Sequence, residues 1–393
     1  MKETDIVTAD EAAIEHSERL QAVIRKEISS TGAMPFDRFM ELALYAPGLG
    51  YYTAGSQKFG TEGDFVTAPE ISALFSQCLA NQCAEILQQT CRDVAAGDIL
   101  EFGAGSGIMA AHILLHLEKL ASLPGRYLIL DLSPDLKQRQ QQTIKKLAPH
   151  LLEKVTWISS LPDSFNGVML GNEVLDAMPV SMFQKQDDKF MEQVVVAEQN
   201  QIKPQWQEAS GLLYQRLQQL EQRYGDFAEG YTSEICLRLD GWLKSLADCL
   251  KSGAIILIDY GYAGHEYYHA ERKMGTLICH YQHRAHADPF KLIGLQDITA
   301  NVDFSAVKQA AEMNGLQVAG FTPQANFLVS AGIEALLSAY DPNDTETFIA
   351  VSQGVKALML PSEMGERFKV IGLVKNIEPA LSGFTMRDLS DRL

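Results

Sequence analysis

The feature that most constrains this chain is a texture that begins near Gly97: short apolar runs alternate with helical stretches. Asp98-Ile-Leu-Glu-Phe102, Tyr127-Leu-Ile-Leu-Asp131, Val155-Thr-Trp-Ile158, Gly167-Val-Met-Leu-Gly171 and Ala254-Ile-Ile-Leu-Ile-Asp259 are too short for helices and too continuously apolar for strands with one wet face. Between them lie helical segments from Met109 to Leu120, through Lys137 to Leu147, and around Trp242 to Leu250. Runs of this kind predict a parallel sheet covered on both faces. Two later runs, Gln317–Phe321 and Phe368–Val374, bring the expected count to seven strands.

Upstream, Leu20, Val23, Ile24 and Ile28 recur at helical spacing, and a second helix runs from Pro35 to about Tyr45. A third runs from Ser72 to about Cys91. The aperiodic stretch between the last two carries Tyr51, Tyr52, Phe59 and Phe65, which argues for an ordered loop over a linker. Residues 1–92 therefore read as an N-terminal helical and lid region. Residues 93–393 read as one α/β domain with insertions at about 180–235 and 262–300, where such domains place their specificity.

Composition narrows the partners. The 393 residues are 46% hydrophobic and hold 33 basic against 50 acidic side chains, a net charge of −17. A broad basic surface for nucleic acid is not expected from that balance. No apolar run approaches the roughly 18 residues of a membrane span, and the acidic start fits neither a secretory signal nor a transit peptide. A cytoplasmic location is the expectation, with a homodimer left open. Cys78, Cys83, Cys91, Cys236, Cys249 and Cys279 form no Cys-x-x-Cys pair and no metal spacing, so they read as buried thiols.

The first strand runs into Glu101-Phe-Gly103-Ala-Gly105-Ser-Gly107. Glycines there let the backbone pass close beneath a ligand at the carboxyl edge of the sheet. A dinucleotide fingerprint can be drawn as Gly105-Ser-Gly107-Ile-Met-Ala110, with Asp131 as its acidic residue, and a tight turn without ligand is the bland alternative. Glu101 discriminates between the ligands. Its carboxylate would repel a pyrophosphate and attract the sulfonium and amine of S-adenosylmethionine. With Asp131 and Ser133 at the next strand end, S-adenosylmethionine is the favoured cofactor over NAD.

Strand four ends in Asn172-Glu173-Val-Leu-Asp176-Ala-Met-Pro-Val180, at the same edge. Asn172 and Glu173 are expected near the methyl group. Against that stands a reading in which Asn172 caps a following helix and Glu173 rides its first turn. Gly63 to Ser72 reads as a lid whose Phe65, Thr67 and Pro69 contact the cofactor, or alternatively as a buried connection. His280, His283 and His286 repeat every third residue without an acidic or Cys partner, so no metal is expected. Substrate contact or local hydrogen bonding suits them better.

These segments together resemble one family. Tyr45-Ala-Pro-Gly-Leu-Gly-Tyr-Tyr, Gly63-Asp-Phe-Val-Thr-Ala-Pro-Glu-Ile-Ser, the glycine turn, Asn172-Glu-Val-Leu-Asp-Ala-Met-Pro-Val, Ser233-Glu-Ile, Ile258-Asp-Tyr-Gly261, Gly275-Thr-Leu, Asp297-Ile-Thr-Ala-Asn-Val-Asp-Phe304 and Phe368-Lys-Val are similar to MidA-type class I methyltransferases. That family includes the mitochondrial complex I assembly factor with protein arginine methyltransferase activity. The chain departs from its pattern at Ile293-Gly294 and at Asn301. The resemblance implies a class I methyltransferase Rossmann-like sheet of order 3-2-1-4-5-7-6, its last strand antiparallel. It also implies methyl transfer from S-adenosylmethionine to an accessible arginine of a protein substrate, such as a respiratory-complex subunit. Glu173, Asp176 and Glu70 are the candidate carboxylates for gripping a guanidinium, and each reads equally as a helix-start carboxylate stabilised by the dipole. An assembly chaperone that keeps the cofactor as a structural ligand, a small-molecule methyltransferase and an NAD-dependent oxidoreductase are the rivals.

Overall fold

The computed structural model describes residues 11–54, 67–90, 96–131 and 133–393. The chain divides into two compact units, each built from three stretches: Met1–Ser56, Asp176–Leu239 and Gly264–Asn301 in one, Gln57–Leu175, Asp240–Ala263 and Val302–Leu393 in the other.

The second unit holds the α/β sheet. Its strands are Asp98–Phe102, Tyr127–Leu130, Val155–Ile158, Phe165–Asn172, Leu250–Tyr262, Gln317–Pro323 and Phe368–Lys375. Numbered along the chain, they lie in the order 3-2-1-4-5-7-6. The first five are mutually parallel, and Phe368–Lys375 runs antiparallel to both its neighbours. An eighth, two-residue strand, Val302–Asp303, pairs with the end of the fifth. Ala254 to Ile258 are all buried, as a strand covered on both faces requires. Against the sheet packs the helix Ala73–Thr90, whose Leu74, Phe75, Cys78, Leu79, Cys83, Ile86 and Leu87 share one core with Ile99, Ile129 and Val168. Register fixes the carboxyl edge: Phe102 stands opposite Leu130 on one side and Gly171 on the other, and Asn172 opposite Ile258.

The first unit is a different construction. Ser181–Gln186, Lys189–Glu198, Gln201–Glu208, Thr232–Ile235 and the short Met34–Pro35 make a five-stranded antiparallel sheet. Ile278–Tyr281, Arg284–His286 and Asp297–Thr299 make a second, three-stranded one. The amphipathic helix Glu11–Thr31 buries Leu20, Ile24 and Ile28, and Phe36–Tyr45 adds Phe36, Phe39 and Met40 to the same core. Three hairpins turn on two residues that both have positive φ: Asp187-Asp188, Gln199-Asn200 and Gln282-His283. These are the primed turns whose twist suits antiparallel strands. Among the described residues no helix is long and apolar enough to cross a membrane.

Candidate active site

The loop after Phe102 is shaped by Gly103, Gly105 and Gly107, whose φ values are 59°, 52° and 84°. Gly107 shows why the turn is closed to side chains: a Cβ there would come within 2.8 Å of the Gln140 Cα. Gly107 also opens the helix Ile108–Lys119 from a left-handed conformation. Gln140, itself 0% exposed, is the hub beneath this turn. Its Nε2 donates to the Gly105 carbonyl at 3.2 Å and to Asp131 Oδ2 at 2.8 Å, and its Oε1 accepts from the Trp157 indole at 2.8 Å. The glycine turn, the acid at the end of strand two and strand three are thereby joined by one amide. Asp131 Oδ1 accepts from the Ser133 backbone, and the Ser133 hydroxyl caps the helix Pro134–Leu147.

Glu101 lies one strand over and is 1% exposed. Its Oε2 accepts from the buried Tyr127 hydroxyl at 2.7 Å. Burial dominates its titration and raises the carboxyl to about 7; the Tyr127 bond works against that rise and the charge of Asp131 adds to it. Thr67 precedes the short helix Ala68–Ile71, in which Pro69 is buried, and Ser72 closes it. Glu70 of this helix accepts a short hydrogen bond from the Ser106 hydroxyl, which ties it to the glycine turn. Phe65 lies outside the described residues.

No helix follows strand four, so the helix-cap reading of Asn172 and the helix-start reading of Glu173 do not hold. The chain bends instead, with Glu173 at φ 54°. For a residue with a side chain that conformation costs on the order of 1 kcal/mol or more, and here it occurs outside any hairpin. The Glu173 N–H donates to the Ile258 carbonyl at 2.9 Å. Asp259, 0% exposed, supplies the other restraint. Its Oδ2 accepts from the Val174 and Leu175 backbone at 3.2 and 2.9 Å, and its Oδ1 from the Tyr260 backbone at 2.9 Å. Val174 sits 3.7 Å from the position of a Cβ on either Gly103 or Gly171, so this bend and the glycine turn are neighbours. Asn172 Nδ2 donates to Glu173 Oε1 at 3.1 Å.

The remaining candidates lie in the other unit. Asp176 is buried there, with its carbonyl accepting from the Ala300 N–H at 3.0 Å. His280 and His286 stand on the two strands of a hairpin and His283 in its turn. Among the described residues no cluster of metal-ligating side chains exists.

The strand edge is thus lined by acceptors, Glu101, Asp131, Asn172 and Glu173, and the segment from Asp98 to Ala110 contains no Lys or Arg. Such a donor-poor edge suits a cofactor that is cationic at sulfur and at nitrogen better than a pyrophosphate. A family model for S-adenosyl-L-methionine-dependent methyltransferases matches residues 78–322. The chain belongs to that family. The methyltransferase is also similar to a COG1565 superfamily member from Burkholderia thailandensis, whose crystal structure holds S-adenosyl-homocysteine. The two are 42% identical with a TM-score of 0.94, over 99% of this chain and 100% of that one. Two curated relatives carry the name protein arginine methyltransferase NDUFAF7, mitochondrial, or its homolog. The Drosophila melanogaster protein is 28% identical over 90% of this chain and 84% of its own length, and the Homo sapiens protein 27% over 88% and 81%.

Sequence reasoning missed Gln140, Tyr127 and Asp259. Asp259 stood at the end of a recognised strand and belonged to a quoted motif, so a signal existed. Gln140 sits within Arg139-Gln-Gln-Gln142, where nothing separates the one buried glutamine from its neighbours except helical phase.

Proposed function

We propose that the methyltransferase transfers the methyl group of S-adenosylmethionine to a guanidinium nitrogen of an arginine in a protein substrate, such as a subunit of a respiratory complex. The observation that carries the reading is the acidic strand edge without Lys or Arg from Asp98 to Ala110, taken with the arginine methyltransferase names of its relatives. The cofactor supplies a methyl carbon already activated by its sulfonium. What remains for the protein is alignment of nucleophile, carbon and leaving sulfur, which can account for much of the rate.

In this reading Asp131 takes the ribose hydroxyls, Glu101 faces the amino-acid end and the glycine turn lets the ligand lie against the backbone. Thr67 and Pro69 flank it from the short helix that Glu70 pins to Ser106. An arginine adds a difficulty, because guanidinium has no free lone pair at neutral pH. A carboxylate forked onto it concentrates charge on the remaining nitrogen and takes up the proton that leaves as the N–C bond forms. Glu173 is the first candidate for that carboxylate, with Glu70 and Asp176 behind it. The acidic chain suits a basic segment as partner.

The test is transfer of tritiated methyl from S-adenosylmethionine into the proteins of a lysate from cells lacking this gene, with excess S-adenosylhomocysteine as the control. A labelled band that the control abolishes, and whose hydrolysate contains methylarginine, is the expected result. Label confined to small molecules would point to a small-molecule acceptor. Cofactor binding with no label anywhere would point to an assembly chaperone.

A further inference from the structure

The short helix Ala68–Ile71 is held from two sides. A helix of one turn has no stability of its own, so it lies where its neighbours put it. On one side Glu70 accepts from the Ser106 hydroxyl of the glycine turn. On the other is the helix Thr345–Met359, which meets the short helix where the chain turns. That turn is Ser72, extended at φ −155° and ψ 132° between Ala68–Ile71 and Ala73–Thr90. Its hydroxyl accepts from the Leu74 N–H at 3.3 Å at the start of the longer helix.

Gly354 makes the meeting possible. Only Gly354 and Leu358, one turn further on, are fully buried along the fifteen residues of Thr345–Met359. Leu358 is fixed in place, because its carbonyl accepts from Nε2 of the buried Gln324 at 3.0 Å. A Cβ on Gly354 would stand 3.1 Å from the Ile71 carbonyl oxygen and 3.1 Å from the Ser72 Cβ, closer than ordinary van der Waals contact. Gly354 is not among the glycines with positive φ, so its backbone does not call for glycine. Helix propensity argues against it, since glycine is among the poorest residues for a helix interior. What the position requires is the absence of a side chain where one helix leans on the turn of another.

We propose that Gly354 is a positioning residue for the cofactor. By leaving out a side chain it lets Thr345–Met359 brace the turn at Ser72, and that brace, with the Ser106 tether, sets where Ala68–Ile71 lies beside S-adenosylmethionine. This rests on the proposed function, in which Thr67 and Pro69 flank the cofactor. The brace touches neither cofactor nor acceptor and acts only through the short helix.

The experiment measures S-adenosylhomocysteine affinity by calorimetry and its dissociation rate by stopped flow. The proteins are wild type, Gly354→Ala, Gly354→Val, Ser106→Ala and the double variant Gly354→Val with Ser106→Ala. A displaced short helix should lower affinity about threefold in the alanine variant and about tenfold in the valine variant, with faster dissociation. Without the Ser106 tether the short helix yields more easily, so the double variant should lose less than the product of the two single losses. Alanine is the better helix former, so weaker binding in Gly354→Ala at an unchanged or higher melting temperature separates positioning from general weakening. Wild-type affinity and dissociation in Gly354→Val, whatever its melting temperature, overturn the proposal, as do single losses that simply multiply. Should the valine variant fail to fold, Gly354→Ala alone and with Ser106→Ala carries the same comparison. Thr67→Ala combined with Pro69→Ala tests the placement underneath. If that protein binds weakly and the Gly354 variants bind like wild type, the brace fails by itself. If it binds like wild type, the placement of Thr67 and Pro69 fails and takes the brace with it.

Discussion

Replacing Glu101 by Gln should make the ligand-free protein more stable at pH 8 and leave it nearly unchanged at pH 5. The buried carboxyl holds its proton up to about pH 7, whereas in the unfolded chain it releases it near the ordinary 4.5. Between those values the folded state binds more protons than the unfolded one, so stability falls as pH rises from about 4.5 to about 7 and is level above. At 1.36 kcal/mol for each tenfold change, the loss attributable to this one group is about 3 kcal/mol. Glutamine keeps an oxygen for the Tyr127 hydroxyl and has no charge to bury. Its added N–H donors need partners, which makes about 3 kcal/mol the upper figure at pH 8. Urea unfolding followed by circular dichroism at pH 5, 6, 7 and 8 reads the difference directly. A gap between variant and wild type that does not widen with pH would refute the reasoning. A companion measurement bears on the cofactor: a cationic ligand stabilises the charged carboxylate, so binding near pH 7 should release about half a proton. Calorimetry in buffers of different ionisation heat detects that release, and Glu101→Gln should abolish it.

Gln140→Leu removes all three hydrogen bonds of the hub and strands the Trp157 indole N–H. About 3 kcal/mol of stability should go with them, read from the urea midpoint of Trp fluorescence, together with weaker S-adenosylhomocysteine binding. In the other unit, Asn200 sits at φ 68° in a hairpin turn, and Asn200→Gly should raise stability by about 0.5 kcal/mol. A lower unfolding midpoint would mean that the Asn200 side chain contributes more than its turn.

The parallel strands were legible because burial on both faces leaves a continuous apolar word, and Ala254-Ile-Ile-Leu-Ile is such a word. The sheet of the 180–235 insertion was not. Lys189–Glu198 and Gln201–Glu208 mix charge with apolar residues, and their turns are Asp-Asp and Gln-Asn in place of the Asn-Gly or Asp-Gly that announces a hairpin. The glycine turn and the acids at the strand ends could be placed from the sequence because their role depends on position along a strand. The groups that hold them could not. Gln140 reaches Gly105 across 35 positions and Asp259 reaches Val174 across 85, and only the folded register makes such pairs neighbours.

The strand Phe368–Lys375 has a consequence for how the protein is made. It lies between strands five and six, yet it is the last of the sheet to leave the ribosome. Until then Leu250–Tyr262, with its buried apolar run Ala254–Ile258, presents one side with no native strand to pair with it. An open apolar edge is a template for the wrong strand, including one from another nascent chain. The unit that holds this strand is drawn from three separate stretches and is complete only when Val302–Leu393 has been made. Synthesis therefore passes through a long interval in which this apolar edge waits for its partner, and the yield of active enzyme depends on what shields that edge in the meantime.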